Sequence, residues 1–216
     1  MCYLPLCLTP LLIPAEGGGD GVSEEQALLH ASTIFQMSSQ IEQAYMRMRI
    51  MNSCGDEEIS FHHAGWGHND YQHPSPIRDD CNLYHADGGS LPFIKTMPAG
   101  INDGADIMFT SDAMDAPLPN SSSDANLSFM IPNVTDSVCR AINRQLGFDE
   151  VLMDQNDYLD SSVTLYKGTF DAGDGLLGLS NDCTGTPICD TPSFCFTESS
   201  GGQKNIFVTY LLDRGR

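Results

Sequence analysis

The sequence has few basic residues, and this shortage restricts the partners of the protein. Ten lysines and arginines face 29 aspartates and glutamates, so the formal net charge at pH 7 is −19 and the isoelectric point is about 4.3. A surface of this charge repels phosphate backbones and anionic lipid headgroups. We therefore expect no direct binding to nucleic acid. Alternatively, the negative charge serves only to keep the protein soluble.

Several motifs of catalysis and cofactor binding are also missing. The sequence contains no Walker A loop, GxSxG elbow, HExxH pair or CxxC pair. These absences argue against the common nucleotide, hydrolase, metalloprotease and zinc-ribbon sites. We expect a protein that is not an enzyme and needs no cofactor; an uncharacterised hydrolase is kept as an alternative.

Long apolar runs are absent as well. Residues 1–15 are apolar, but they contain three prolines and no basic residue before the apolar part, unlike a membrane helix or an ordinary signal peptide. Four glycines follow before residue 22. We expect residues 1–22 to be a disordered extension, an atypical export signal or a truncated start, and 23–216 to be one globular domain. Contact with a membrane is expected only through an N-terminal segment not visible in this sequence.

Eight cysteines are present, two of them in the N-terminal extension. Their number favours an oxidising compartment; reduced, buried thiols in a cytosolic protein are the alternative. Our interpretation pairs Cys54 with Cys81 and forms two bridges among the other four, although the sequence does not decide among the pairings. The disulfide candidates are Cys54, Cys81, Cys139, Cys183, Cys189 and Cys195.

The front of the domain carries the clearest helical pattern. Ser23 and Gln26 form a capping box, and Glu24 and Glu25 suit the positive end of a helix dipole. Apolar residues then recur in steps of four and three until about Met51. We expect the methionines near its end to pack into the core, with a surface for a partner helix as the alternative. The predicted packing and assembly stripe is Ala27, Ala31, Ile34, Ser38, Ile41, Tyr45 and Met48.

The rest of the domain shows short strands and one short helix. The helix is predicted from Thr135 to Leu146, where Gly147 stops it. Strands are predicted at 58–61, 83–93 (two, around a turn at 87–89), 106–110, 126–131, 163–170 and 206–212, with a loop region at 171–205. The predicted fold class is α+β, with a long N-terminal amphipathic helix packed on an antiparallel sheet, one short second helix and a disulfide-stabilised C-terminal loop region.

Five of the six histidines lie between positions 62 and 85, among aspartates. Imidazoles and carboxylates can bind zinc, copper or nickel, but the irregular spacing favours a solvated loop. Aspartates between 171 and 182 lack the EF-hand pattern, so turn chemistry is preferred there over calcium binding. The alternative metal site, for a divalent ion, would use His62, His63, His68 and His73.

Several segments carry a family likeness when they are taken in order. They are 40–49 (QIEQAYMRMR), 52–56 (NSCGD), 58–61 (EISF), 83–89 (LYHADGG), 131–143 (IPNVTDSVCRAIN) and 211–214 (LLDR). Together they resemble type IV pilin-like proteins of bacteria, over roughly residues 23 to 214. The resemblance implies a globular pilin head, whose helix from Ala27 to Met48 forms the lower half of the pilin spine.

The resemblance also implies a role. Pilin-like subunits polymerise into surface filaments or secretion pseudopili and do no chemistry themselves. They carry a Gly/Phe-Thr-Leu-x-Glu processing site and about twenty apolar residues after it, and this sequence shows neither. The start is therefore expected to be truncated, or the head to assemble differently.

We thus expect a bacterial, exported, non-catalytic subunit of an extracellular filament or secretion pseudopilus, located outside the cell or on its surface. Its expected partners are copies of itself or other pilin-like subunits. The alternative is a secreted module that binds a metal, glycan or surface receptor through its His- and Asp-rich loops.

Overall fold

The computed structural model describes residues 23–67, 70–75, 77–113, 126–148, 153–155, 165–170, 192–198 and 204–212. Two single 3-10 turns, Asp56–Glu58 and Asp79–Cys81, precede the first strand. No helix in this described part is long and apolar enough to cross a membrane. The longer elements are α1 (Glu24–Met51), β1 (Met108–Ala113), β2 (Asn126–Val134), α2 (Asp136–Gln145), β3 (Met153–Gln155), β4 (Ser193–Glu198) and β5 (Lys204–Leu212).

Helix α1 begins and ends where the sequence predicts. The backbone N–H of Gln26 donates to Ser23 Oγ at 3.3 Å, and the backbone N–H of Ser23 donates to Gln26 Oε1 at 3.3 Å, which completes the capping box. At the other end, the backbone N–H of Asn52 donates to the Met48 carbonyl at 3.2 Å. The helix has 28 residues and is therefore about 42 Å long.

One face of α1 is buried along the whole helix. Helix α1 contacts β5, where the ring of Phe35 packs edge to face against that of Phe207, with 6.2 Å between the centroids. Thr209 Oγ1 donates to Glu42 Oε1 at 3.1 Å. The packing of a long helix on the sheet is therefore confirmed. The buried face contains every residue of the predicted stripe: Ala27, Ala31, Ile34, Ser38, Ile41, Tyr45 and Met48.

The five strands form one sheet in the order β1-β2-β5-β4-β3. β1 pairs with β2, β2 with β5 and β5 with β4, all antiparallel as predicted. The short β3 joins β4 in parallel, which the sequence pattern did not indicate. The last strand of the chain, β5, thus lies at the centre of the sheet, so its hydrogen bonds are made on both edges.

Both faces of the sheet are buried. One face, with Phe129 and Phe207, belongs to the same core as α1. The other face carries a second apolar cluster that includes Met130, Phe194 and Val208. Because β2 and β5 are covered on both faces, each contains consecutive apolar residues, at 129–131 and at 206–208, instead of a strict alternation.

The segment between α1 and β1 differs from the prediction. The strand expected at 58–61 is wrong: Asp56–Glu58 form a 3-10 turn, and Ser60 makes only an isolated bridge to Asn82. The pair of strands expected at 83–93 is a series of turns instead. A Cβ on Gly89 would lie 2.2 Å from the Leu83 carbonyl oxygen, so the chain folds back on itself here.

The C-terminal part also departs from the prediction in two places. Strand β4 lies within 171–205, which was expected to be loop, and the rest of that region falls largely outside the described residues. The strand predicted at 163–170 is not formed over its described residues. Leu165 makes an isolated bridge to Thr110, residues 166–170 are not in a strand, and 163–164 lie outside the described residues. Gly168 has a φ of 84°, which interrupts an extended strand conformation.

Two disulfides close the described structure. Cys54, after α1, is bonded to Cys81, the pairing expected from the sequence. Cys139 of α2 is bonded to Cys195 of β4, one pair within the expected set of four cysteines. Cys183 and Cys189 lie outside the described residues. Bonds of this kind are typical of oxidising compartments.

Candidate functional site

Two surfaces of the described structure qualify as functional candidates, and the first is the outer face of α1. Large apolar side chains remain exposed there: Leu29 is 64% exposed, Ile50 70% and Met51 75%. The methionines near the helix end differ in exposure: Met48 is buried, whereas Met46 and Met51 are exposed. The expectation that all three pack into the core is therefore wrong for two of them.

The exposed apolar residues at the end of α1 lie beside charged groups that are already paired. The Arg47 guanidinium donates to the carbonyl oxygens of Gly88 and Gly89, and Arg49 pairs with Asp56 at 2.9 Å. These contacts fix the helix end to the turns after it. The apolar side chains consequently project from a rigid support.

The histidines of the predicted metal site have separate surroundings. His62 Nδ1 lies 3.2 Å from the Asp70 carbonyl oxygen, and the ring of His63 stacks on Phe93 with 4.0 Å between centroids. His73 meets Tyr166 edge to face at 5.8 Å. His68 lies outside the described residues, so the four-histidine site as a whole stays a prediction.

Another group of metal-ligand side chains is close together: Cys54, Asp80 and Cys81 have ligand atoms within 4.8 Å of one another, and no other such group occurs in the described ranges. The two sulfurs are bonded to each other. A disulfide has no thiolate to offer a metal. The chemistry of this donor set therefore fits a structural bridge.

The second candidate is a cleft where three separate parts of the chain meet. It is lined by residues 57–58, by 73–75 with 77–78, and by 167–169. Gly168 permits the meeting. A Cβ at this position would lie 2.4 Å from His73 Nδ1 and 2.7 Å from the Glu57 carbonyl oxygen. Its φ of 84° is also a conformation that favours glycine.

The cleft has a volume of about 380 Å³, within the range of about 300–1,000 Å³ that small-molecule sites occupy. Pro74 and Ile77 add apolar surface to its wall. The polar lining comes from Glu57, His73, Ser75, Arg78, Lys167 and Thr169.

Two charged groups at the cleft already have protein partners. Arg78 donates to the Asn52 carbonyl at 3.1 Å and to Asp80 at 2.6 Å. The hydrogen bond and charge of Asp80 raise the pKa of Arg78, and Arg78 in turn holds the pKa of Asp80 below its usual value. Glu58 Oε2 accepts the backbone N–H of Gly55 at 2.7 Å.

Four other polar side chains of the cleft have no partner among the residues that the structure describes. Lys167 and the Glu57 carboxylate form no hydrogen bond or ion pair with the described part of the chain, and the same holds for the hydroxyls of Ser75 and Thr169. Such groups are hydrated and can exchange water for a ligand. The arrangement can therefore bind a polar molecule through both donors and acceptors.

His73 is the lining residue with the most perturbed chemistry. Burial lowers its pKa from 6.5 to about 4; a hydrogen bond with the Ile59 backbone opposes this shift, and the nearby His62 adds to it. Its Nε2 is buried and has no hydrogen-bond partner in the part of the chain that the structure describes. The ring is therefore neutral at neutral pH.

Sequence reasoning missed most of this cleft. Glu57 and Lys167 belong to no motif found in the sequence, and His73 was grouped with the alternative metal site. The available signal was Gly168, because a lone glycine inside a predicted strand often marks a close approach of another segment.

Comparison of the chain with protein-family models, with curated proteins and with solved structures finds no match.

Proposed function

We propose that the protein is an exported, non-catalytic structural subunit of the pilin-like kind, which assembles with copies of itself or with related subunits into an extracellular filament or a secretion pseudopilus. The observation that carries this proposal is α1: a 28-residue helix, packed on an antiparallel sheet along one face, whose opposite surface keeps large apolar side chains exposed. The motif resemblance described above supports the same assignment.

The exposed side chains of α1 suit subunit contact. Scattered single apolar residues are ordinary on a protein surface, but Met46 and Ile50 are one helical turn apart and Met51 follows directly. Residues four apart on a helix are neighbours. The end of α1 thus offers a cohesive apolar area to a neighbouring subunit.

The disulfides fit life outside the cytoplasm. One closes the turn region after α1 and the other joins α2 to β4. Bridges of this kind stabilise by roughly 2–4 kcal/mol each, which suits a subunit exposed to an extracellular medium. The acidic composition keeps such a subunit soluble before assembly.

Immunogold electron microscopy of the source cells tests the proposal. Antibodies raised against the purified chain should label filaments at or shed from the cell surface. Label confined to the cytoplasm would contradict the proposal.

A pair of variants tests the role of α1. Met46→Glu with Ile50→Glu should abolish filament labelling because two charges enter the apolar contact. Gln72→Glu with Ala86→Glu adds the same two charges at exposed positions outside α1 and should leave labelling intact. Equal labelling of both variants would show that α1 does not mediate assembly.

A further inference from the structure

We propose that the cleft formed by Glu57, His73, Ser75, Arg78, Lys167 and Thr169 binds a neutral saccharide of about disaccharide size. The proposal does not depend on filament assembly, because the cleft is lined by 57–58, 73–75, 77–78 and 167–169 and includes no residue of α1.

The charges of the lining select the class of ligand. Glu57 and Glu58 balance Arg78 and Lys167, and the whole chain carries −19. An anionic ligand would be repelled at long range by the acidic surface. A cation would find one carboxylate in the cleft, that of Glu57, that is not already hydrogen-bonded to the described part of the chain. A ligand without net charge meets neither long-range attraction nor repulsion and depends on local hydrogen bonds.

The unengaged groups match the hydroxyls of a sugar. Lys167 can only donate, the Glu57 carboxylate can only accept, and the hydroxyls of Ser75 and Thr169 can do both. Each sugar hydroxyl also donates and accepts, so one sugar ring can serve several of these groups at once. A zwitterion such as an amino acid would use the two charged groups and leave the two hydroxyls without a role.

The shape of the cleft agrees with this assignment. Pro74 and Ile77 supply apolar wall against which the C–H face of a sugar ring can pack. The volume of about 380 Å³ exceeds what a single amino acid or monosaccharide fills and has room for two sugar rings. Gly168 keeps the walls close, because a side chain there would collide with His73 and Glu57.

Isothermal titration calorimetry on the full chain with intact disulfides tests the proposal. The probes are four neutral disaccharides (maltose, cellobiose, lactose and diacetylchitobiose), with digalacturonate as the acidic arm and glutamine as the zwitterionic arm. At least one neutral disaccharide should bind saturably, and with higher affinity than either arm.

Matched variants locate the binding. Lys167→Met should weaken the affinity for that disaccharide by about tenfold or more, because a hydrogen bond to a charged donor is lost. Glu57→Gln should weaken it too. Lys204→Met removes a charge from an exposed position outside the cleft and should leave the affinity unchanged, and circular dichroism should show the same folded spectrum for all three.

Three outcomes would overturn the proposal. One is the absence of saturable binding by all four neutral disaccharides. Another is tighter binding of digalacturonate or glutamine, which would assign the cleft to an acidic or zwitterionic ligand. The third is an equal effect of Lys167→Met and Lys204→Met, which would place the saccharide elsewhere on the surface.

Discussion

Among single residues, His73 has the widest consequences, because its ring contacts another of the three segments that meet at the cleft. It packs against Gly168 and Tyr166, and its Nε2 has no hydrogen-bond partner within the described ranges. Burial of the ring deprives a protonated imidazole of solvation, which is the main reason for the shift. The folded protein therefore resists protonation of His73, which is why its pKa is lowered to about 4.

The lowered pKa predicts a pH dependence of stability. Above pH 6.5, His73 is neutral in both the folded and the unfolded chain, and its contribution is fully present. As the pH falls from 6.5 towards 4, His73 becomes protonated in the unfolded chain but stays neutral in the folded one. Protonation therefore stabilises the unfolded chain, and the free energy of unfolding falls. Below pH 4 the contribution is constant.

Urea denaturation of His73→Gln measures this effect. The loss of unfolding free energy between pH 7.5 and pH 4.5 should be smaller in the variant than in the unchanged protein. His85→Gln serves as the control, since His85 lies near the surface beside Asp79 and Asp87. A pH dependence that His73→Gln leaves unaltered would contradict the account.

Among the elements, α1 could be predicted most completely from sequence, because its signals are local. The capping box needs only Ser23 and Gln26, and the stripe needs only the spacing of apolar residues along one helix. β2, α2 and β5 were found for similar reasons. β4 was missed because Ser193–Glu198 follows a stretch rich in Thr, Pro and Cys, and its strand pairing comes from β5, which lies later in the chain.

The cleft could not be predicted for a related reason. Glu57, His73 and Lys167 are far apart in sequence, and the contact that unites them is made through Gly168. No periodicity or short motif encodes such a meeting. The strands wrongly expected at 58–61 and 83–93 had suitable residue types, but the turns around Gly88 and Gly89 leave no room for a regular ladder.

The cap of α1 can be tested at the scale of the element. Ser23→Ala removes the side-chain acceptor of the Gln26 N–H and should lower the free energy of unfolding by about 0.5–2 kcal/mol. Ser39→Ala, at an exposed position within the same helix, should change it by less, because alanine is the better helix former. Chemical denaturation followed by circular dichroism compares the two, and equal losses would argue against the capping box.

At the scale of the whole molecule, net charge opposes compactness. A chain with a formal charge of −19 repels itself when it folds. Salt screens this repulsion, since the Debye length falls from about 30 Å at 0.01 M to about 8 Å at 0.15 M. The urea midpoint at pH 7 should therefore rise as sodium chloride is added over this range.

The same salt titration near pH 4.3, the isoelectric point, is the control for that prediction. The net charge is close to zero there, so the salt effect should shrink. An equal rise at both pH values would point to a general salting effect on apolar burial instead of relief of charge repulsion.

This α+β domain is closed by two disulfides, which are typical of an oxidising environment. One joins the segment after α1 to the 3-10 turn at Asp79–Cys81, and the other joins α2 to the sheet. The most direct measurement alkylates free thiols in living source cells before lysis and then maps the cysteines by mass spectrometry without reduction. The account predicts peptides crosslinked between Cys54 and Cys81 and between Cys139 and Cys195. Recovery of these four cysteines as alkylated, unlinked thiols would contradict it.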